Sequence, residues 1–337
     1  MSTTKRPPSG SFGSSQLVVK RQKSGANLSD GNDAAKPNSR SAGGHSGEIF
    51  AARFDPTGQH IASGSMDRSI LIWRTYGSCE NFGQLTGHKS AVLSLHWSRD
   101  SSCIFSASAD MTLASWDLES GQRIRKHEGH TEIVNDITAS PRGEEILLSA
   151  SDDGCIGVWD PRIKRAVDFI ETNFPITAIA MAEAGNEIYT GGIDCDVKVW
   201  DIRKKDVAYR MPGHTDTITS LSLSPDSQSL LSYSHDGLAR TWDIRPFAPD
   251  NRSLKSFAGA PVGIERNLVR ASWDTRGEKL GVGSGDGSVC IWENRGGNLL
   301  YKLPGHKGTV NDVRFGPGQD PIVLSASSDR NMIIGEL

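Results

Sequence analysis

The sequence predicts an all-β protein, a β-propeller built from repeated units of about four strands, behind a disordered N-terminal tail. Three observations carry this. Trp recurs at 73, 116, 159, 200, 242 and 292, and a Gly-His pair at 44–45, 87–88, 129–130, 213–214 and 305–306. An Asp stands six residues before every one of those Trp, at Asp67, Asp110, Asp153, Asp194, Asp236 and Asp286, and Asp329 repeats the mark in a last unit that has no Trp. A hydroxyl stands ten before, at Ser63, Ser106, Ser149, Thr190, Ser232 and Ser325, and only the sixth unit breaks the pattern, with Val282. A period near 42 residues marks a repeat architecture, and this one holds four fixed offsets over seven units.

Each unit reads as short strands. Phe50–Phe54, Val92–Trp97, Ile133–Ala139, Ile218–Leu223 and Val310–Phe315 are rich in apolar and β-branched residues and close on turns such as Asp55-Pro56-Thr57-Gly58. A second run leads to the Asp and a third ends at the Trp. No helical period of useful length competes with them.

Tail and body differ in composition. Residues 1–40 hold seven Lys or Arg against two acids, so the rest of a chain of net charge −3 carries a surplus of eight acids. The tail is rich in Ser, Gly, Asn and Lys and buries too little to offset its ordering entropy, so disorder is expected over residues 1–36 and the propeller over 37–337. Lys20-Arg21-Gln22-Lys23 reads either as a nuclear import signal or as a solvated charge run. The acidic body argues against wrapping nucleic acid directly. No apolar run approaches the ~20 residues of a membrane-spanning helix. Five scattered cysteines without a CxxC pair argue against zinc and a disulfide framework.

These units resemble the WD-repeat family. The naming dipeptide stands at Trp116-Asp117, Trp159-Asp160, Trp200-Asp201 and Trp242-Asp243, altered to Trp73-Arg74 and Trp292-Glu293. The resemblance implies a closed seven-bladed ring. It also implies four hydrogen-bonded tetrads: His45–Ser63–Asp67–Trp73, His88–Ser106–Asp110–Trp116, His130–Ser149–Asp153–Trp159 and His214–Ser232–Asp236–Trp242. A nucleophilic triad is excluded by repetition, because an enzyme needs one water-excluding site rather than four copies. The fourth and sixth units lack Gly-His and are expected to be less ordered at that edge. The chain ends after the third strand of the last blade, so a closing strand is expected from residues 37–43. Those residues are poor strand formers, and stabilisation by a partner is expected there.

The candidate partner surface comprises Phe50, Met66, Asn135, Asp152, Ile193, His235 and Asn311, near one rim. The run Arg245-Pro246-Phe247-Ala248-Pro249, the segment Asn267-Leu268-Val269-Arg270 and Tyr301-Lys302-Leu303-Pro304-Gly305-His306 resemble a spliceosomal branch of the family, the WD-repeat subunits of the U5 small nuclear ribonucleoprotein (U5 snRNP). That implies a nuclear, non-catalytic scaffold in pre-mRNA splicing. It would bind the large central U5 scaffold protein and neighbouring spliceosomal proteins, with RNA contact indirect or through the basic tail. No cofactor, metal, membrane or small-molecule substrate is implied. The competing reading is a substrate receptor of a cullin-type ubiquitin ligase, from three Trp-Asp-x-Arg boxes ending at Arg162, Arg203 and Arg245. A nucleotide loop at Gly281–Gly287 is rejected, because it is the second strand and Asp turn of the sixth unit.

Overall fold

The computed structural model describes residues 17–20 (backbone), 44–249, 251–318 and 320–337. Seven four-stranded sheets follow one another along the chain. The first strands are Ile49–Phe54, Val92–Trp97, Val134–Ala139, Ile176–Met181, Ile218–Leu223, Ala271–Trp273 and Val310–Phe315. Each touches its successor, and the last touches the first, so the sheets close into a ring around an axis. This is a seven-bladed propeller.

The core is divided among the seams between blades. One seam joins Ile70, Ile72 and Leu85 of blade one to Val92, Leu95, Trp97 and Ile104 of blade two. Each such aliphatic side chain contributes about 1.5–3 kcal/mol when fully buried. Trp97 and Trp273 also tie a blade to its predecessor, donating their indole N–H to the carbonyls of Arg53 (3.1 Å) and Ser222 (3.0 Å).

The seventh blade closes differently from expectation. Its outer position is filled by Leu17–Lys20, paired in parallel with Met332–Gly335. The expected closing residues 37–43 lie outside the described residues. Of the expected tail 1–36, this short strand is the part described. The run Leu17-Val18-Val19 has the β-propensity that Pro37–Gly43 lacks.

Two local features set the height of every blade. The first is the turn between second and third strands. The residue after the repeated Asp has a left-handed backbone in all seven blades: Arg68, Met111, Gly154, Cys195, Gly237, Gly287 and Arg330, with φ from 64° to 80°. In six blades that Asp also accepts the amide two residues on, as in Asp67 Oδ1 to Ser69 N (3.0 Å) and Asp286 Oδ1 to Ser288 N (3.0 Å). The Asp therefore also forms the turn, which accounts for Asp286 in blade six, where no His partners it.

The second feature is a register shift in the first strand of six blades, for example between Val134 and Asp136 and between Val310 and Asp312. Such a bulge re-aims the residue between. Four of these residues reach the next blade. Asn135 Nδ2 donates to Ile176 O (2.9 Å), Thr219 Oγ1 to Val269 O (2.9 Å) and Asn311 Nδ2 to Ile49 O (2.7 Å); Thr177 Oγ1 donates to Ile218 O.

Candidate functional site

The four expected tetrads are assembled in the same way. In blade one His45 Nδ1 lies 2.9 Å from Asp67 Oδ2, His45 Nε2 lies 2.7 Å from Ser63 Oγ, and Trp73 Nε1 donates to that hydroxyl at 2.9 Å. In blade two the corresponding distances are 3.0, 2.7 and 2.8 Å. In blade three they are 2.7, 2.6 and 2.8 Å, and in blade five 2.8, 2.7 and 2.8 Å. A neutral imidazole satisfies the whole chain, with Nδ1–H donating to the carboxylate and Nε2 accepting from the hydroxyl. Burial opposes ionisation of Asp67 and Asp110, but the imidazole and the turn hydroxyl outweigh it and hold both carboxyls below their ordinary range.

The seventh blade has the same chain without its indole: His306 binds Asp329 (3.0 Å) and Ser325 (2.9 Å). The two blades without Gly-His have substitutes. In blade four the ammonium of Lys198 pairs with Asp194 and lies 5.0 Å from the centre of the Phe174 ring, while Trp200 still donates to Thr190 (2.8 Å). In blade six Lys302 reaches Asp286 at 2.6 Å, and the Trp292 indole turns to Ala258 O at 3.2 Å.

Sequence reasoning missed the most connected side chain near the axis, Arg270. It enters from blade six, and its Nη1 donates to Asp136 Oδ2 (2.9 Å), Thr219 O (3.0 Å) and Thr177 O (3.2 Å). Its Nη2 donates to Asn135 O (2.7 Å). One buried guanidinium thus ties blades three, four, five and six. Its signal in the sequence was an Arg at a first-strand position where other units place Ala, Ser or Asp.

The candidate partner surface separates into two groups. Asn135 and Asn311 are buried and occupied by the inter-blade bonds above, so they leave that surface; the bulge turns them inward. Asp152 is half-buried and accepts from Asn135 Nδ2 at 2.6 Å. Phe50 and His235 are half-buried, and the His235 Nδ1 has no partner. Met66 (58 % exposed) and Ile193 (49 %) project from the Asp turns. Met111 on a neighbouring turn and Phe174 and Ile264 on lead-in loops are also exposed on this face, which we call the upper face. In the Trp-Asp-x-Arg boxes, Arg245 folds onto Asp243 (Nε to Oδ1 2.9 Å), and Arg162 stands 3.8 Å from Asp160. Arg203 gives its backbone amide to Asp201 at 2.9 Å.

This geometry defines a WD-repeat propeller, and comparison with known proteins agrees. The family model "WD domain, G-beta repeat" matches residues 38–74, 79–117, 121–160, 167–201, 205–243 and 297–334; the chain belongs to this family. The unmatched stretch contains the first three strands of the sixth blade, which lacks both the Gly-His and the hydroxyl. The chain is 45 % identical over 294 residues to "Pre-mRNA-splicing factor cwf17" of Schizosaccharomyces pombe, covering 87 % of this chain and 86 % of that one. It is 42 % identical to the "U5 small nuclear ribonucleoprotein 40 kDa protein" of Dictyostelium discoideum (87 % and 83 % covered) and 43 % identical to that of Homo sapiens (87 % and 82 % covered).

Proposed function

We propose that this chain is a non-catalytic interaction scaffold of pre-mRNA splicing, a nuclear subunit of the U5 snRNP that docks on its large central protein. The observation that carries this reading is identity of 42–45 % across the whole ring to proteins bearing splicing-factor and U5 names. The site chemistry is consistent with it. The repeated His, Ser and Asp groups are committed to one another inside the blades, which leaves them no substrate to act on. Met66, Met111, Phe174, Ile193 and Ile264 form scattered apolar anchors on one face, the kind of side chain that carries binding energy at protein interfaces. The acidic body favours contact with the particle through protein, with the basic tail as the segment suited to phosphate.

The test is a tagged purification with and without nuclease. Recovery of U5 RNA and one very large protein, the protein persisting after nuclease, is expected. Met66→Asp with Ile193→Asp should reduce that recovery at least tenfold without changing the melting temperature. Recovery of a cullin adaptor without U5 RNA would replace this reading with the ligase one.

A further inference from the structure

Arg53, His96 and Arg314 occupy the same position, the next-to-last residue of the first strand, on blades one, two and seven. These three blades are consecutive around the ring, so their basic groups share one side of the axis. The equivalent residues of the other four blades are Thr138, Ala180, Ser222 and Ser272, all small. The arrangement is a wall of two guanidinia and one imidazole facing a wall of small, mostly hydroxyl-bearing residues.

Charge there is not balanced among the described residues. Three guanidinia (Arg53, Arg270, Arg314) face two carboxylates (Asp136, Asp312). Arg270 and Asp136 satisfy each other. Asp312 Oδ2 accepts the Ala52 amide at 3.0 Å, and its Oδ1 lies 2.8 Å from Arg314 Nε without hydrogen-bond alignment. Arg53 Nε is buried with no partner, and so is the hydroxyl of Ser272. Burial, and then repulsion from Arg314, lower the Arg53 guanidinium to about 9, and burial followed by Arg53 lowers His96 to about 4. Arg314 and Ser272 also line a cavity of about 380 Å³ with Ser222, Trp273 and Phe315, which opens beside the turns that follow the first strands. Asp274, also in the lining, accepts the Glu278 and Lys279 amides through Oδ1 at 2.7 and 3.0 Å.

A buried guanidinium nitrogen without an acceptor is costly, and the group that would relieve it is a compact acceptor of charge-assisted hydrogen bonds. We propose that the cavity lined by Arg314 and Ser272, whose Nε and hydroxyl both lack a hydrogen-bond partner, binds a single phosphate-class oxyanion, either as the free ion or carried on a small organic group, with the Arg53 charge next to Arg314 adding to the attraction. Phosphate meets a guanidinium fork with two oxygens and leaves others for the Ser272 hydroxyl.

The test is the apparent melting temperature of the full chain in inorganic phosphate, in O-phosphoserine and in chloride, at equal ionic strength. The wild type should melt about 2–4 °C higher at phosphate tenfold above its dissociation constant. A matching rise in O-phosphoserine identifies a carried phosphate as an acceptable source; a rise in inorganic phosphate alone identifies the free ion. Arg53→Met should melt as high as the wild type or higher in chloride, because it removes a repelled charge, and should show a smaller phosphate response. Ser272→Ala should keep the response with an affinity several-fold weaker by titration calorimetry. No rise in either anion for the wild type, or an equal rise in Arg53→Met, overturns the proposal.

Discussion

The Nη1 atom of Arg270 lies 2.9 Å from Oδ2 of Asp136, across 134 positions of sequence and from blade six to blade three. This pair anchors the unit that departs furthest from the repeat pattern. Blade six has neither the imidazole nor the hydroxyl of a tetrad, yet its Arg270 collects three carbonyls and a carboxylate from three other blades. Arg270→Met is expected to cost about 3–5 kcal/mol, since it strands a buried carboxylate. The double variant Arg270→Met, Asp136→Asn should cost less than the sum of the two singles. Urea unfolding of the four proteins completes the cycle, and additivity would count against direct coupling.

The tetrads give a second expectation. Ser149→Ala leaves the Trp159 indole and the His130 Nε2 buried without partners, at about 1–3 kcal/mol. Val282→Ser, which restores the repeat pattern in blade six, should bring no stability. No imidazole waits there, and Trp292 already donates to Ala258. Denaturant midpoints of the two variants should therefore move unequally, the first sharply down and the second hardly at all.

Acid should unfold the ring in two stages. Burial lowers the pKa of His214, despite Asp236, and burial also lowers His127 and His235. A folded imidazole that resists protonation gives stability above its unfolded pKa near 6.5, and this is lost as pH falls below that value. The tetrad carboxyls Asp67, Asp110, Asp153, Asp236 and Asp329 are also held low, with burial opposed and outweighed by their hydrogen bonds. Their contribution is complete above about 4 and fades below it. Melting temperature against pH should be flat from 8 to 7, decline below about 6.5, and fall steeply below about 4.

Lys198 offers a test of substitution within a blade. Lys198→Met keeps the contact with Phe174 but leaves Asp194 without its cation, at about 3 kcal/mol for a largely buried pair. Thermal unfolding would register it, and an unchanged midpoint would mean that Asp194 does not depend on the ammonium.

Truncation tests the seal. Removal of residues 1–16 should leave the melting temperature unchanged. Removal of residues 1–24 should lower it and promote association, because the edge at Met332–Gly335 loses its paired strand. Light scattering beside the melting curve reads both effects.

Much of this was legible in the residues. Fixed offsets among Gly-His, Ser, Asp and Trp named the blades, because strand lengths are constant, and the family resemblance those offsets carry implied the four tetrads. Arg270 was not legible, because its partners come from three different blades and follow no repeat. Asn135 and Asn311 read as rim residues until the bulge turned them toward the neighbouring blade. Leu17–Lys20 was hidden by its setting, four strand-forming residues within a tail whose composition argues for disorder. The substitutes at Lys198 and Lys302 were concealed because a search for a missing His does not register an ammonium arriving from another strand.

The direction of the outermost strand has a mechanical consequence. In the other six blades the fourth strand runs against the third and delivers the chain to the upper face, where the next blade begins. Leu17–Lys20 runs with the third strand and delivers it to the opposite face. The described chain resumes at Gly44 on the upper face, so Lys20 and that point lie on opposite faces of the ring, separated by the height of a blade, about 20 Å for six residues. A pull on the amino end would therefore peel the four backbone pairs of this seam before it loads the first strand of blade one.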